Sequence, residues 1–174
     1  MSSCLKLTFL VSACCVLAAC AEQQHQHQRL SAGRPNPRRL QNDRTTAYSR
    51  GENGGRHNAM GDRLSGHKCL SAASDWSRFP LGTRFRIVGT KDEYIIDDYG
   101  VALIGTNTID LYKNSRLEMR RLGVRRVDID ILEWGSDQKS LKVLAPRTKH
   151  SYVKRMVVAL ERKASGRSPS RALD

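Results

Sequence analysis

The sequence predicts a mainly β fold, a small barrel of six short strands. Between residues 43 and 135, short runs of strand-forming residues alternate with turns rich in Gly and charged residues. Six such runs within about 90 residues are typical of a small barrel. A chain of 174 residues, 39% of them hydrophobic, has room for one domain of ordinary size. We therefore expect one barrel with polar flanks.

The strand candidates follow one another along this segment. They are residues 45–49, 69–73, 84–88, 94–98, 108–112 and 127–132. A short helix is predicted between the last two, because Ser115 and Glu118 have the spacing of a capping box and Gly123 supplies a left-handed stop.

A second, amphipathic helix is predicted at 152–164, in a basic C-terminal extension that covers 136–174. Its apolar residues have the i, i+3, i+4, i+7 spacing of one helix face, and they are Val153, Met156, Val157 and Leu160. A basic helix of this kind is compatible with an anionic membrane surface. Packing against the barrel is the interpretation that we favour.

The N-terminus predicts export. Lys6 is followed by an uncharged run, residues 7–19, which has the length of a signal-peptide hydrophobic region. The run ends in Leu17-Ala18-Ala19-Cys20, which resembles a bacterial lipobox, so we expect residues 1–19 to be removed and Cys20 to carry lipid. The alternative is ordinary cleavage after the Ala19-Cys20-Ala21 pattern, which leaves a soluble secreted protein.

The charge distribution separates the flanks from the barrel. Residues 20–42 are rich in Gln, His, Arg and Pro and are predicted to be a disordered tether. Segment 43–135 holds 15 basic and 13 acidic residues, whereas 136–174 holds 10 basic and 3 acidic ones. The net charge of +13 is therefore expected to act through the flanks, on anionic wall or lipid. Export argues against nucleic acid as a partner.

Several kinds of site are excluded or left open by the motifs. The sequence has no G-x-S-x-G, P-loop or H-E-x-x-H pattern, and we expect no metal and no cofactor. If the leader is removed and Cys20 is acylated, Cys69 alone remains in the folded part. A buried small hydrophobe is the favoured role for Cys69.

The acidic residues of the barrel segment are the candidate catalytic groups. Asp110 lies between Ile109 and Leu111, which alternation directs into the core, so Asp110 lies on the other face. Burial beside hydrophobic residues and near another carboxylate raises a carboxyl pKa toward the range of a general acid. Structural and catalytic roles both remain open for Asp110. Asp97 and Asp98 end a strand before Gly100, and they are also compatible with a turn.

An ordered series of motifs resembles the 3D domain, a family named for three aspartates and related to the core of membrane-bound lytic transglycosylase A. The motifs cover residues 45 to about 134. They are Thr45-Thr46-Ala47-Tyr48, Ala72-Ala73-Ser74-Asp75, Phe79-Pro80-Leu81-Gly82-Thr83, Asp98-Tyr99-Gly100-Val101-Ala102-Leu103-Ile104-Gly105, Ile109-Asp110-Leu111-Tyr112 and Gly123-Val124-Arg125. The resemblance implies a six-stranded double-psi β-barrel that acts on peptidoglycan.

The resemblance also implies roles for individual residues. Asp110 would be the general acid/base of a lytic transglycosylase, and Asp98 and Asp75 would support the site. The family's usual Asp-Thr-Gly-Gly-Ala-Ile-Lys-Gly reads Asp-Tyr-Gly-Val-Ala-Leu-Ile-Gly here, without the Thr, one Gly and the Lys.

Aromatic residues near the proposed aspartates are candidates for sugar stacking. Trp76, Tyr99 and Tyr112 are the predicted substrate-binding residues, with core packing as the alternative for Trp76 and Tyr99. Core packing is favoured for Trp134. The Gly-rich residues 51–61 are predicted to form a cleft wall.

Two functions are compatible with these residues. The first is an enzyme that cleaves the MurNAc-GlcNAc bond of peptidoglycan, lipid-anchored at the periplasmic face of the outer membrane. The second is a non-catalytic glycan-binding module of the cell envelope. Both have peptidoglycan glycan strands as the partner and the membrane as the attachment, and neither specifies an oligomeric state.

Overall fold

The computed structural model describes residues 38–49, 56–65 and 69–166. The predicted signal peptide, Cys20 and most of the predicted tether lie outside these residues. The described part is mainly β, with six strands in a closed barrel and three helices. The strands are β1 (Arg38–Ser49), β2 (Leu70–Ala73), β3 (Arg84–Ile87), β4 (Glu93–Asp98), β5 (Ile109–Lys113) and β6 (Arg125–Glu133). The helices are α1 (Arg116–Leu122), α2 (Asp137–Leu144) and α3 (Ser151–Ala164).

All six predicted strands are present, but the first begins seven residues earlier than predicted. Residues 38–42, assigned to the tether from their polar composition, belong to β1 instead, and residues 38–40 pair with β6. Arg39 donates two hydrogen bonds to the Asp130 carboxylate, at 2.8 and 3.0 Å. The backbone N–H of Asn42, which has a φ of 59°, donates to Asp128 at a break in the strand register. The tether prediction was wrong here because these residues pair at the exposed rim, where a strand needs no apolar alternation.

The barrel order is β1-β5-β2-β4-β3-β6, closed by the pairing of β6 with β1. The β1–β5 and β2–β4 pairs are parallel, and the other four pairs are antiparallel. If β1, β2 and β3 are exchanged with β4, β5 and β6, respectively, every strand pair is converted into a pair that is also present and has the same direction. The barrel therefore consists of two interlocked three-strand halves related by a pseudo-twofold pairing pattern.

The barrel interior contains the side chains that the alternation of apolar and polar residues along the strands predicts to be buried. Ile109 and Leu111 are both fully buried, as their positions on either side of Asp110 predict. Phe85 and Tyr94 stack across β3 and β4, with ring centroids 5.3 Å apart. Short helix α1 begins and ends as predicted, since the Ser115 hydroxyl accepts from the Glu118 N–H and Gly123 has a φ of 60°.

The C-terminal segment is part of the fold. Four residues of α3 are buried and belong to the same hydrophobic cluster as the barrel interior, namely Val153, Met156, Val157 and Leu160. Helix α2, which the sequence analysis missed, adds Leu144 to this cluster. A side chain at Gly135 would bring a Cβ to 2.4 Å from the Leu81 carbonyl oxygen, so the turn into α2 requires glycine. No helix within the described ranges is long and apolar enough to cross a membrane.

Candidate functional site

Two of the three proposed aspartates lie in one row across the barrel. Asp98 on β4 is in register with Ala73 on β2, and Ala73 is in register with Asp110 on β5. The next strand places Thr46 beside Asp110. Two strand spacings separate the Cα atoms of Asp98 and Asp110 by roughly 10 Å. Because Ala73 carries only a methyl group, the position between the two carboxylates is not filled by a large side chain.

Asp98 has a strongly perturbed carboxyl group. Burial raises its pKa to about 6, and the negative charges of Asp97 and Asp110 act in the same direction. Backbone N–H groups of Tyr99 and Ala59 oppose this rise by stabilising the carboxylate, and the Tyr99 N–H lies 2.9 Å from Oδ1. Asp98 therefore changes charge close to neutral pH, which is the property required of an acid/base group.

Asp97 is the extra residue at the register shift between β2 and β4, so it lies outside the paired row. Burial raises its pKa, and hydrogen bonds from Ser71 and Asn58 partly oppose that shift. The donor distances to Oδ2 are 2.7 Å from Ser71 Oγ and 3.0 Å from Asn58 Nδ2. Its other oxygen, Oδ1, is buried and has no hydrogen-bond partner in the described part of the chain. Asp97 and Asp98 are therefore two half-buried carboxyl groups at consecutive positions of β4, and burial raises the pKa of both.

The loop of residues 56–65 covers this end of β4. Asn58 binds Asp97, and the backbone of Ala59 binds Asp98. The loop is held by a backbone bridge between His57 and Arg63. This segment overlaps the Gly-rich wall predicted at 51–61, although residues 51–55 lie outside the described ranges.

Asp110 is half-buried and directly paired with a hydroxyl group. Thr46 Oγ1 donates to Asp110 Oδ1 at 2.6 Å, between strands that are parallel and in register. The short bond orients one carboxylate oxygen and leaves the other to further contacts. From the sequence, Thr46 was predicted only as part of a motif, because its bond to Asp110 joins two strands whose residues are 64 positions apart in the chain.

Asp75 holds a loop in place. Its Oδ1 accepts from the backbone N–H and the hydroxyl of Ser77, at 2.9 and 2.7 Å, and its Oδ2 accepts from the Gly105 N–H at 2.7 Å. Asp75 is 3% exposed. With both oxygens engaged, its role is to anchor the Asp98–Gly105 segment, in line with the supporting role that the resemblance implies.

Tyr48 is a site residue whose importance the sequence did not reveal. It follows Thr46 by two positions on the same face of β1 and is in register with Tyr112. Burial raises its pKa well above the usual range, and the carboxylates of Asp98, Asp97 and Asp110 add to the shift. The phenol therefore remains protonated. Its hydroxyl is buried and has no hydrogen-bond partner among the residues that the structure describes.

The predicted stacking residues form the wall behind the aspartates. Trp76 is fully buried, and its Nε1–H donates to the Asp98 carbonyl at 2.8 Å, which fixes the backbone of β4 at its end. Its ring contacts Tyr99 edge to face, at 5.0 Å. Tyr112 is 5% exposed and contacts Tyr48 in the same way, at 5.5 Å. Burial of the Trp76 and Tyr112 rings corrects the stacking interpretation for both residues.

Trp134, which was predicted to pack in the core, is exposed in the structure. Core packing was favoured from the sequence, but Trp134 is 43% exposed. One ring face stacks on Phe79, with centroids 6.3 Å apart. It lines a cleft of about 620 Å³ that also contains Asn58 and Asp97. The core prediction failed because β6 ends at Glu133, one residue before Trp134, where the chain leaves the barrel.

Cys69 is half-buried rather than enclosed. Burial raises the pKa of its thiol, and the nearby Arg84 guanidinium acts in the opposite direction. A thiol that is mostly protonated is a poor nucleophile, so this environment gives Cys69 no catalytic character.

Comparison of the chain with protein-family models finds no match, and comparison with curated proteins finds no significant match.

Proposed function

We propose that this protein is a peptidoglycan lytic transglycosylase of the 3D-domain type, with Asp110 as general acid/base. The observation that carries the proposal is the row of Asp98, Ala73, Asp110 and Thr46 across four adjacent strands. It places two carboxyl groups on either side of a position that carries only a methyl group. Tyr48 adds a protonated phenol whose pKa is raised by burial and by the carboxylates of Asp98 and Asp110.

This arrangement suits a reaction in which the substrate supplies its own nucleophile. The 6-hydroxyl of the muramic sugar attacks the anomeric carbon of the same residue, so no activated water is required. Asp110 first donates a proton to the departing glycosidic oxygen and then accepts the proton of the attacking hydroxyl. The product is a 1,6-anhydro sugar. Thr46 donates to Oδ1 of Asp110 at 2.6 Å and so fixes the orientation of this carboxyl group.

Asp98 has a supporting electrostatic role in this proposal. When ionised, it stabilises the positive charge of an oxocarbenium-like transition state. With a pKa of about 6 it is mostly ionised at neutral pH and mostly protonated at pH 5. We therefore expect activity to fall as the pH drops through 6.

The test is to incubate the full-length protein with purified sacculi and identify the released muropeptides by mass spectrometry. We expect 1,6-anhydro products from the wild type and none from Asp110→Asn. Asp92→Asn, in an exposed turn before β4, is the matched control and should keep full activity. Absence of anhydro products from the wild type would refute the enzymatic proposal.

A glycan-binding module without catalysis is the second candidate. The observation that favours it is that neither of the two described clefts includes Asp98 or Asp110 among its described lining residues. In that case sacculus binding would persist in Asp110→Asn, and no preparation would release anhydro products.

For the barrel itself, we infer the double-psi type. Its two parallel strand pairs and the exchange of β1–β3 with β4–β6 support this assignment. We also interpret α3 as an amphipathic helix, since its buried row is opposite exposed basic residues such as Lys154 and Arg155. This interpretation favours packing over membrane binding.

We further propose that the protein is exported and held in the cell envelope by lipid on Cys20. The uncharged run before Ala18-Ala19-Cys20 supports this proposal. Cys20→Ala should move the protein from the membrane fraction to the soluble fraction of bacterial cells. An unchanged distribution would contradict the lipid anchor, and it would leave the enzymatic proposal intact.

A further inference from the structure

A second cleft, of about 390 Å³, lies between the end of β5 and helix α1. Its lining residues are Leu70, Tyr112, Lys113, Asn114, Glu118, Arg121, Leu122 and Arg125. The cleft adjoins the aspartate row, because Tyr112 follows Asp110 by two positions on the same strand face, about 7 Å along the chain. Its volume is within the range of small-molecule sites.

The residues that line this cleft are more often basic than acidic. Residues 113–126 contain six basic residues and one acidic residue, a net charge of +5. The rest of segment 43–135 contains nine basic and twelve acidic residues, a net charge of −3. The small net charge of the barrel segment is therefore unevenly distributed along the chain. Three of the six basic residues, Lys113, Arg121 and Arg125, line the cleft together with Glu118.

Two of the cleft cations are held in position by uncharged groups. Lys113 Nζ donates to the Tyr94 hydroxyl at 2.8 Å. Arg125 donates to the backbone carbonyls of Leu122 and Arg121, at 2.8 and 3.0 Å. Ion pairs with carboxylates are absent for Lys113, Arg121 and Arg125 within the described ranges. Each retains unused N–H donors, and the anchoring of two of them reduces the entropy lost when an anion binds.

We propose that this cleft binds the carboxylates of the peptide stems attached to the glycan strand. The inference rests on the proposed function, since it places the sugar chain at the aspartate row and the stem in the adjoining cleft. Stem peptides carry free carboxylates, and arginine side chains bind carboxylates through paired N–H groups. Leu70 and Leu122 provide apolar surface for the aliphatic parts of the stem. The barrel thus recognises both components of peptidoglycan.

The test measures binding separately from cleavage. Isothermal titration calorimetry would use the full-length Asp110→Asn variant in detergent, which is not expected to cleave, with two GlcNAc-MurNAc tetrasaccharides. One tetrasaccharide has free stem carboxylates, and in the other the same carboxylates are amidated. We expect the free form to bind more tightly, and Arg121→Glu to weaken its binding about tenfold while leaving the amidated form unchanged. Lys154→Glu on α3 makes the same charge change outside the cleft lining and should have no effect.

The outcomes distinguish this inference from the proposed function. Equal binding of the two tetrasaccharides by Asp110→Asn, or equal weakening of both when Arg121→Glu is added to that variant, would overturn the inference. Helix α1 also exposes Leu117 beside its arginines, so vesicles containing anionic phospholipid form a third arm. Arg121-dependent binding to these vesicles, with none to the tetrasaccharides, would reassign the cleft to the membrane and overturn the inference as well. If no cleavage occurs but binding depends on the carboxylates and on Arg121, the inference holds and the enzymatic proposal fails.

Discussion

Replacing Asp98 by Asn should stabilise the protein at neutral pH, because the folded state holds this carboxylate in an unfavourable environment. The pKa of Asp98 is raised from 3.8 to about 6 by burial and neighbouring negative charge. One pKa unit corresponds to about 1.4 kcal/mol, so the shift has an upper limit of about 3 kcal/mol. Partial solvent exposure and the hydrogen bonds from Tyr99 and Ala59 reduce the expected gain to about 1–2 kcal/mol.

The sign of the pH dependence follows from proton binding. Between pH 4 and 6 the folded state holds the Asp98 proton while the unfolded state releases it, so folding is favoured by low pH across this window. The contribution is complete below about pH 4 and is lost as the pH rises through 6. Asn has no such proton. The stability difference between Asp98→Asn and wild type should therefore be small at pH 4 and reach its full size above pH 6.

The assay is urea denaturation followed by tryptophan fluorescence at pH 4.5, 5.5 and 7. Asp92→Asn, an exposed carboxylate in the turn before β4, is the control and should show no pH-dependent difference. A stability difference for Asp98→Asn that is constant from pH 4.5 to 7 would refute the reasoning. Destabilisation at pH 7 would show that the hydrogen bonds to Asp98 outweigh its burial.

Three further substitutions test other parts of the structure. Tyr48→Phe removes a buried hydroxyl that has no partner among the described residues, so stability should stay within about 1 kcal/mol while anhydro-muropeptide release falls; unchanged release would contradict a role for the hydroxyl. Asp75→Asn turns an amide donor toward a donor of Ser77 or Gly105 and should cost about 2–3 kcal/mol in urea denaturation. Leu160→Ala on α3, at a fully buried position, should cost about 3 kcal/mol, whereas a cost near zero would mean that α3 does not pack on the barrel.

Local sequence signals predicted the fold well where each element carries its own pattern. Ile109 and Leu111 alternate around Asp110, and Ser115 and Gly123 bound α1, so these elements were predicted close to their observed limits. Residues 38–42 have no such pattern, because the partner that makes them a strand is about 90 residues away on β6. Helix α2 was missed for a related reason. Its buried residues are only Ser140 and Leu144, and their burial depends on contacts with other parts of the fold.

For the candidate site, the sequence by itself made Asp110 a candidate through its position in an apolar strand, and Asp98 and Asp75 became candidates through the resemblance to the 3D domain. The tertiary structure alone decided that Asp98 and Asp110 share a row with Ala73 between them, that Thr46 binds Asp110, and that the Tyr48 hydroxyl is buried. It also decided that Trp76 is buried and Trp134 exposed. The physical reason is that chain order specifies neighbours along a strand, whereas the barrel register specifies neighbours across strands, and the charge and burial of a site depend on both.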